Sequence, residues 1–361
     1  MKYAVAVFLL AVSFMPLVTH AALGDVTIIH GTVERIASSE RREVPGTALM
    51  ETVQSLMVEL EDGRTVTVNN DRIVVEVGSR VYVAQYESVD GYIYTLHDAD
   101  RGFAMGIALF LFAAAIIGVG GWIGVRALIS LGLSLGVILY ILAPLLISGY
   151  PPALTSLACA ALMLGVVMLV THGPTRMTLA AYLASLAAVT VAVFLGDAFV
   201  SFAHLSGFAD DASSILNIST GSALQMEGLL LGALIIGALG IVDDLAVTQV
   251  AAIGELKSAN PGLTNTELYA RAMRIGREHL GAVVNTLVLA YVGASLPLLL
   301  LFALSTENTT LLLNSEVIAV EVVRAAVGSV ALALVVPVAT ILALWAIRGR
   351  TPGHAPHTHT H

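Results

Sequence analysis

Two adjacent carboxylates, Asp243 and Asp244, lie near the middle of Glu227–Leu256, an apolar run long enough to cross a bilayer. About twenty apolar residues span the hydrocarbon, and an aspartate at its centre costs about 2.5–3.5 kcal/mol on insertion scales. The pair therefore needs a protein interior, a water-filled cavity or a partner. The run can slide by a turn, which leaves three readings open: a substrate or proton site, a pair at the cytoplasmic interface, or buried structural acceptors. Thr248, four residues after Asp244, shares its helix face. Asn285 lies about one turn into the next apolar run, which would be antiparallel to this one. Asp243, Asp244, Thr248 and Asn285 can thus meet at similar depth as a substrate or proton site. Adjacent carboxylates titrate as a coupled pair, which suits proton coupling and equally lets a structural pair shed charge. Gly237 and Gly240, just before the pair, would serve close helix packing or a helix break that exposes carbonyls to an ion. Glu321 and Arg324, at i and i+3, form a second candidate, an ion pair near the outer face with a structural, gating or substrate role.

The elements that must position these groups are apolar helices. Only 12% of the 361 residues are charged while 57% are hydrophobic, a composition that points to a polytopic α-helical membrane protein. Seven candidate spans follow: Gly102–Gly120, Ala127–Ile147, Ala153–Val170, Met177–Ala198, Gly228–Val247, Ala282–Leu304 and Ala325–Ile347. Gly120, Gly121 and Trp122 would make a short interfacial turn between the first two. Alternate connections differ in charge. One set holds Arg126, Arg176, Lys257, Arg271, Arg274, Arg277, Arg348 and Arg350. The other holds Asp210, Asp211, Glu227, Glu307, Glu316 and Glu321, with Arg324 as its one base. The positive-inside rule then puts the N-terminal domain outside and the C-terminus in the cytoplasm. The single cysteine, Cys159, lies in an apolar run and allows no intramolecular disulfide.

Met1–Ala22 has a short positive start, an apolar stretch and a small-residue end, as in a cleaved signal peptide or an uncleaved signal anchor. Leu23–Arg101 is polar and shows strand character over Val26–Ile36, Gln54–Leu60, Thr65–Asn69, Arg80–Glu87 and Tyr92–Leu96. Asp62–Gly63 and Asp90–Gly91 are hairpin turn signals, and the charged stretch Ser38–Pro45 reads as a loop. Five short strands predict a small all-β extracytoplasmic barrel of OB or SH3-like type. It would be a scaffold or interaction cap, or a ligand-binding module. The transmembrane domain covers 102–347, and a His-rich tail covers 348–361, either disordered or a weak metal binder.

Phe202–Gln225 would be a re-entrant or surface helix. Thr264 and Glu267 form a capping-box pattern before a basic helix over Thr264–Leu280, either a cytoplasmic gate or a helix lying on anionic lipid. Leu268, Ala272, Ile275 and His279 would face away from its charged side. No Gly-x-Ser-x-Gly elbow, zinc signature or phosphate-cradling loop occurs, so neither catalysis, metal nor cofactor is implied. An intramembrane aspartyl protease needs its two aspartates on different helices. The net charge of −9 argues against nucleic acid. The implied partners are the lipid bilayer and an unidentified small solute or ion, and the sequence leaves a homo-oligomer open.

Three stretches carry a family resemblance: Gly237–Asp244 (GALGIVDD), Asn285–Pro297 (NTLVLAYVGASLP) and Glu321–Ser329 (EVVRAAVGS). With Val77–Val83 before the first span, they resemble the YibE/F-like family of bacterial integral membrane proteins. The resemblance implies a multi-pass architecture in the bacterial cell membrane. Members are described at most as permeases or exporters, without an established substrate. Together these readings favour a secondary transporter or permease, proton-coupled through Asp243 and Asp244. The alternative is a membrane-anchored binding or assembly protein that recruits a partner with its external β domain.

Overall fold

The computed structural model describes residues 27–43, 50–71, 73–88, 91–209, 211–221, 224–305 and 308–347. The expected signal segment and His-rich tail lie outside the described residues. By contacts the chain forms two compact units, one ending at Gly121 and one beginning at Trp122. The stretch from Gly102 to Gly121 therefore groups with the polar N-terminal sequence, although composition changes at Arg101.

The first unit contains five strands: β1 (Thr27–Glu43), β2 (Met50–Leu60), β3 (Thr65–Asn70), β4 (Arg80–Ser88) and β5 (Gly91–Ala99). They close into a barrel in the order β1-β2-β3-β5-β4, with β1 also pairing antiparallel to β4. The single parallel contact joins β3 to β5 at Asn69 and Thr95. Period-two alternation sends Leu56, Val58 and Leu60 of β2 inward to meet Val33, Val68, Val81, Val83 and Leu96. Between β3 and β4 the chain leaves the ladder, and a buried amide takes over its pairing. Gln54 Nε2 donates to the Val75 carbonyl at 3.3 Å, and its Oε1 accepts from Val75 N at 3.1 Å and Asn70 Nδ2 at 2.9 Å. Gly63 closes the β2–β3 turn at φ 80°, a conformation glycine adopts without penalty.

The stretch expected as a loop, Ser38–Pro45, is strand as far as Glu43; its last two residues are not described. Beyond Ile36, β1 pairs with β2 alone, from Ser38 opposite Ser55 to Glu43 opposite Met50. Its charged side chains stay exposed along this arm, so the pairing costs no burial of charge.

The helices are α1 (Gly102–Ile147), α2 (Pro152–His172), α3 (Arg176–Phe202), α4 (Asp211–Ser219), α5 (Met226–Ala259), α6 (Asn265–Ala294), α7 (Leu296–Leu304), α8 (Thr309–Leu313) and α9 (Glu316–Ile347). Among the described residues, five are long and apolar enough to cross a membrane: α1, α2, α3, α5 and α9. The count is six when α6 and α7, bent by 63° at Ser295, are taken as one span. The first two expected runs appear as the single 46-residue α1. Gly121, at φ 53°, ψ −130°, breaks it into two helices at a kink, where the sequence places a short turn over Gly120, Gly121 and Trp122.

In the second unit α5 and α9 form the centre: α9 packs on α3, α5 and α6, and α5 also packs on α2 and α3. Close approach depends on small residues. A Cβ at Gly232 would stand 2.5 Å from Ser156 Oγ of α2, and one at Gly228 would stand 2.8 Å from Pro152 Cγ. Gly240, Gly281 and Gly293 meet nothing within 4 Å, so packing does not explain them. Cys159 is buried in this core. Leu154, Phe194, Ile341 and Trp345 point outward, apolar surface suited to lipid.

Two expectations about α5 and α6 change. No break follows Gly237 or Gly240, because α5 is unbroken from Met226 to Ala259. The basic helix and the sixth span are one continuous helix, α6, whose break comes later, before Pro297. Proline lacks the N–H that would continue the ladder. The Thr264–Glu267 capping box starts α6 as its sequence predicts. Within Phe202–Gln225 the nine-residue α4 is helical.

Candidate functional site

Two contacts fix the antiparallel register of α5 and α6. A Cβ on Gly237 would lie 3.3 Å from the Tyr291 hydroxyl, and Thr248 Oγ1 lies 3.4 Å from His279 Nδ1. Between these points Asp243 falls at the level of Asn285. The depth shared by Asp243 and Asn285 does not extend to Thr248, which lies five residues, about 7.5 Å, further along α5, and no closed cluster forms. Thr248 donates its hydroxyl to the Asp244 backbone carbonyl at 2.8 Å, the usual back-bond of a helical threonine, and makes no bond to the carboxylate. That leaves its lone pair facing His279. Asn285 is exposed, and among the described residues no hydrogen bond joins it to either aspartate.

Asp243 is partly buried, and its Oδ1 is sealed with no hydrogen-bond partner among the described residues. Buried polar atoms nearly always have a partner, so this oxygen is the most conspicuous feature of the bundle. Asp244 is on the more open side of α5, within electrostatic reach of His279. Asp243 and Asp244 point to different surroundings because neighbouring residues on a helix diverge by about 100°.

His279 was expected to face away from the charged side of its helix, and it does so by facing Thr248. Its role in the site escaped sequence reasoning, which followed the basic residues. A second omission is Gln249. Its buried amide donates to the Ala272 carbonyl at 3.0 Å and to Thr340 Oγ1 at 2.8 Å, tying α5 to α6 and α9. A glutamine inside an apolar run was the available signal.

Toward the other end of α5 stands the expected ion pair. Arg324 donates to Glu321 Oε1 at 2.9 Å, and its guanidinium lies 5.7 Å from the centre of the Tyr291 ring. Tyr291 in turn faces Gly237, six residues before Asp243. At about 1.5 Å rise per residue, the two charged layers are roughly 9 Å apart along α5. The pair borders a cavity of about 590 Å³. Its walls come from the α6–α7 break (Ser295, Pro297), from α5 (Leu230, Ala233) and from the segment before and within α4. That segment is held by Glu316, whose carboxylate accepts from Ser206 N at 2.8 Å, Ser206 Oγ at 2.7 Å and Gly207 N at 2.9 Å. Glu321 Oε2 is buried and has no partner among the described residues.

Among the described residues no group of three or more His, Cys, Asp or Glu side chains is arranged to hold a metal. The long apolar helices and the five-stranded N-terminal barrel make this a polytopic helical membrane protein with a small β domain. The family model for YibE/F-like proteins matches residues 108–349, and the chain belongs to that family. The matched span contains every site residue above and leaves the barrel outside. No curated protein and no solved structure matches the chain.

Proposed function

We propose that the protein is a secondary permease whose transport is coupled to proton movement at Asp243 and Asp244. The supporting observation is the sealed, unpartnered Asp243 Oδ1. An acid oxygen in that position needs a proton, a water or a cation, and a binding-and-release cycle supplies one. Thr248 and His279 bridge α5 to α6 beside it, so a shift between the helices alters the surroundings of both carboxylates. Asn285, level with Asp243, completes the site when α6 turns. Glu321 and Arg324 serve as the gate at the far layer. In this reading the chain crosses a bacterial plasma membrane seven times, with Gly121 dividing α1 into two spans and α6–α7 counting as one. The N-terminal barrel is outside and the C-terminus cytoplasmic. The strand order, with β5 inserted between β3 and β4, favours an OB-type barrel over an SH3-like one. The protein performs no covalent chemistry and needs no cofactor.

The test is proton flux. Full-length protein in liposomes with a trapped pH dye is exposed to a small-molecule extract under an imposed pH gradient. The wild type moves protons in response to the extract, and Asp243→Asn does not. Equal flux in wild type and Asp243→Asn, with Asp244→Asn also unchanged, refutes the coupling. The competing reading, a membrane-anchored assembly protein, is favoured if the wild type shows no extract-dependent flux while crosslinking through the barrel captures one partner in stoichiometric amount.

A further inference from the structure

We propose that the cavity beside Glu321 and Arg324 binds a small zwitterion, an ammonium and a carboxylate carried on an apolar body of the kind found in short apolar peptides. This deepens the permease reading and rests on it for the ligand's route, though not for its binding.

The first argument is charge balance. Among the described residues that line the cavity, Glu321 and Arg324 are the charged ones, and they are paired. Both side chains are only about a quarter exposed, 27% and 26%. A ligand with a single net charge would leave an uncompensated charge in a low-dielectric space, which is costly. A zwitterion keeps the balance neutral and can answer each charge separately.

The second argument is unfilled valence. Arg324 engages one carboxylate oxygen, and Glu321 Oε2 is buried without a partner among the described residues. A turn of the carboxylate would present that oxygen to the cavity as an acceptor for an ammonium. Arg324 uses one of its donors on Glu321, and a guanidinium has five, so donors remain for a carboxylate. The C-terminal end of α6, at Ala294 and Ser295, opens on the same cavity.

The third argument is the rest of the wall. Leu216, Leu229, Leu230, Pro297, Leu298 and Val317 line it. A cavity of about 590 Å³ lies within the range of sites that enclose a drug-sized molecule. An inorganic ion would leave those surfaces unfilled, whereas an apolar side chain covers them.

The experiment is equilibrium binding to the full-length protein in lipid nanodiscs, with no gradient. Four probes share one apolar body: leucyl-leucine, its N-acetyl derivative (anion), its amide (cation), and the N-acetyl amide (neutral). Leucyl-leucine is expected to bind saturably, with the other three at least tenfold weaker. Glu321→Gln leaves Arg324 unopposed and is expected to invert the order in favour of the N-acetyl anion. Ala233→Phe fills the cavity without touching either charge and is expected to abolish binding. It keeps the test decisive if Glu321→Gln does not fold. Absence of saturable binding by leucyl-leucine, equal affinity for all four probes, or undiminished binding to Ala233→Phe would overturn the assignment. Extract-driven proton flux without leucyl-leucine binding would sink the zwitterion and leave the permease standing; binding without flux would do the reverse.

Discussion

Gly276 sits where α5, α6 and α9 meet, and replacing it with alanine tests whether that junction positions the site. A Cβ there would lie 2.5 Å from Val336 Cγ1, 2.6 Å from Gln249 Oε1 and 3.0 Å from Gln249 Cδ. Carbon atoms pack best at about 3.5–4.0 Å, so the shortfall is roughly 1 Å. Val336 is almost fully buried, at 1% exposure, and its β-branched side chain has little rotamer freedom in a helix. Gln249 is held by two hydrogen bonds. Overpacking of this kind costs about 1–3 kcal/mol, and loosening an interhelical hydrogen bond adds about 0.6 kcal/mol. The gain from replacing glycine in a helix offsets about 0.5–1 kcal/mol. Gly276→Ala is therefore expected to destabilise by about 0.6–3 kcal/mol and to part α5 from α6, weakening the Thr248–His279 contact. Gly240→Ala is the control, because a Cβ there meets nothing within 4 Å; it should be neutral or slightly stabilising. Reversible unfolding of the full chain in mild detergent reads both, and Gly276→Ala combined with Val336→Ala should recover part of the loss. If Gly276→Ala proves as stable as the wild type, or shifts together with Gly240→Ala, the packing argument fails.

Glu316→Gln keeps the shape but removes the charge that draws two backbone N–H groups and one hydroxyl to α9. The expected loss is about 1–3 kcal/mol, local to the segment, and hydrogen exchange should show the Ser206 and Gly207 amides losing protection; unchanged protection would refute it. In the barrel, Arg64 beside Asp62 and Arg101 beside Asp98 hold these carboxyls below the usual carboxylate range, chiefly through side-chain hydrogen bonds. Groups with a depressed folded value contribute stability above their unfolded value, about pH 4, that is lost as pH falls through the lower folded value. Both pairs are exposed, so the effect is small. Protection of the β2–β3 turn should decline with acid in the wild type and depend less on pH in Asp62→Asn; identical pH profiles would count against it.

The turn at Gly63, the capping box at Thr264 and most strands were legible in the sequence because each is governed by neighbours within a few residues. The arm of β1 was not. Its charged residues look like a loop until β2 is seen beside them, supplying backbone partners without demanding burial. The continuity of the basic helix with the sixth apolar run was not legible either. A polar, basic stretch and an apolar one form the single helix α6, since helical hydrogen bonds ignore the change in polarity between them.

The site divides along the same line. Composition and the cost of charge in hydrocarbon determined from residues alone that this chain is built of membrane-suited helices and that Asp243, Asp244, Glu321 and Arg324 need an explanation. Local spacing also sufficed for the Glu321–Arg324 pair, which lies within one helix. Which groups the acids meet depended on rotation and register between helices far apart in sequence. Only the folded bundle brought Thr248 to His279, Gln249 to Thr340 and Tyr291 to Arg324, and only it left Asp243 Oδ1 and Glu321 Oε2 without partners among the described residues. Those contacts arise from side-chain packing between helices, a property of matched surfaces that no single stretch of sequence contains.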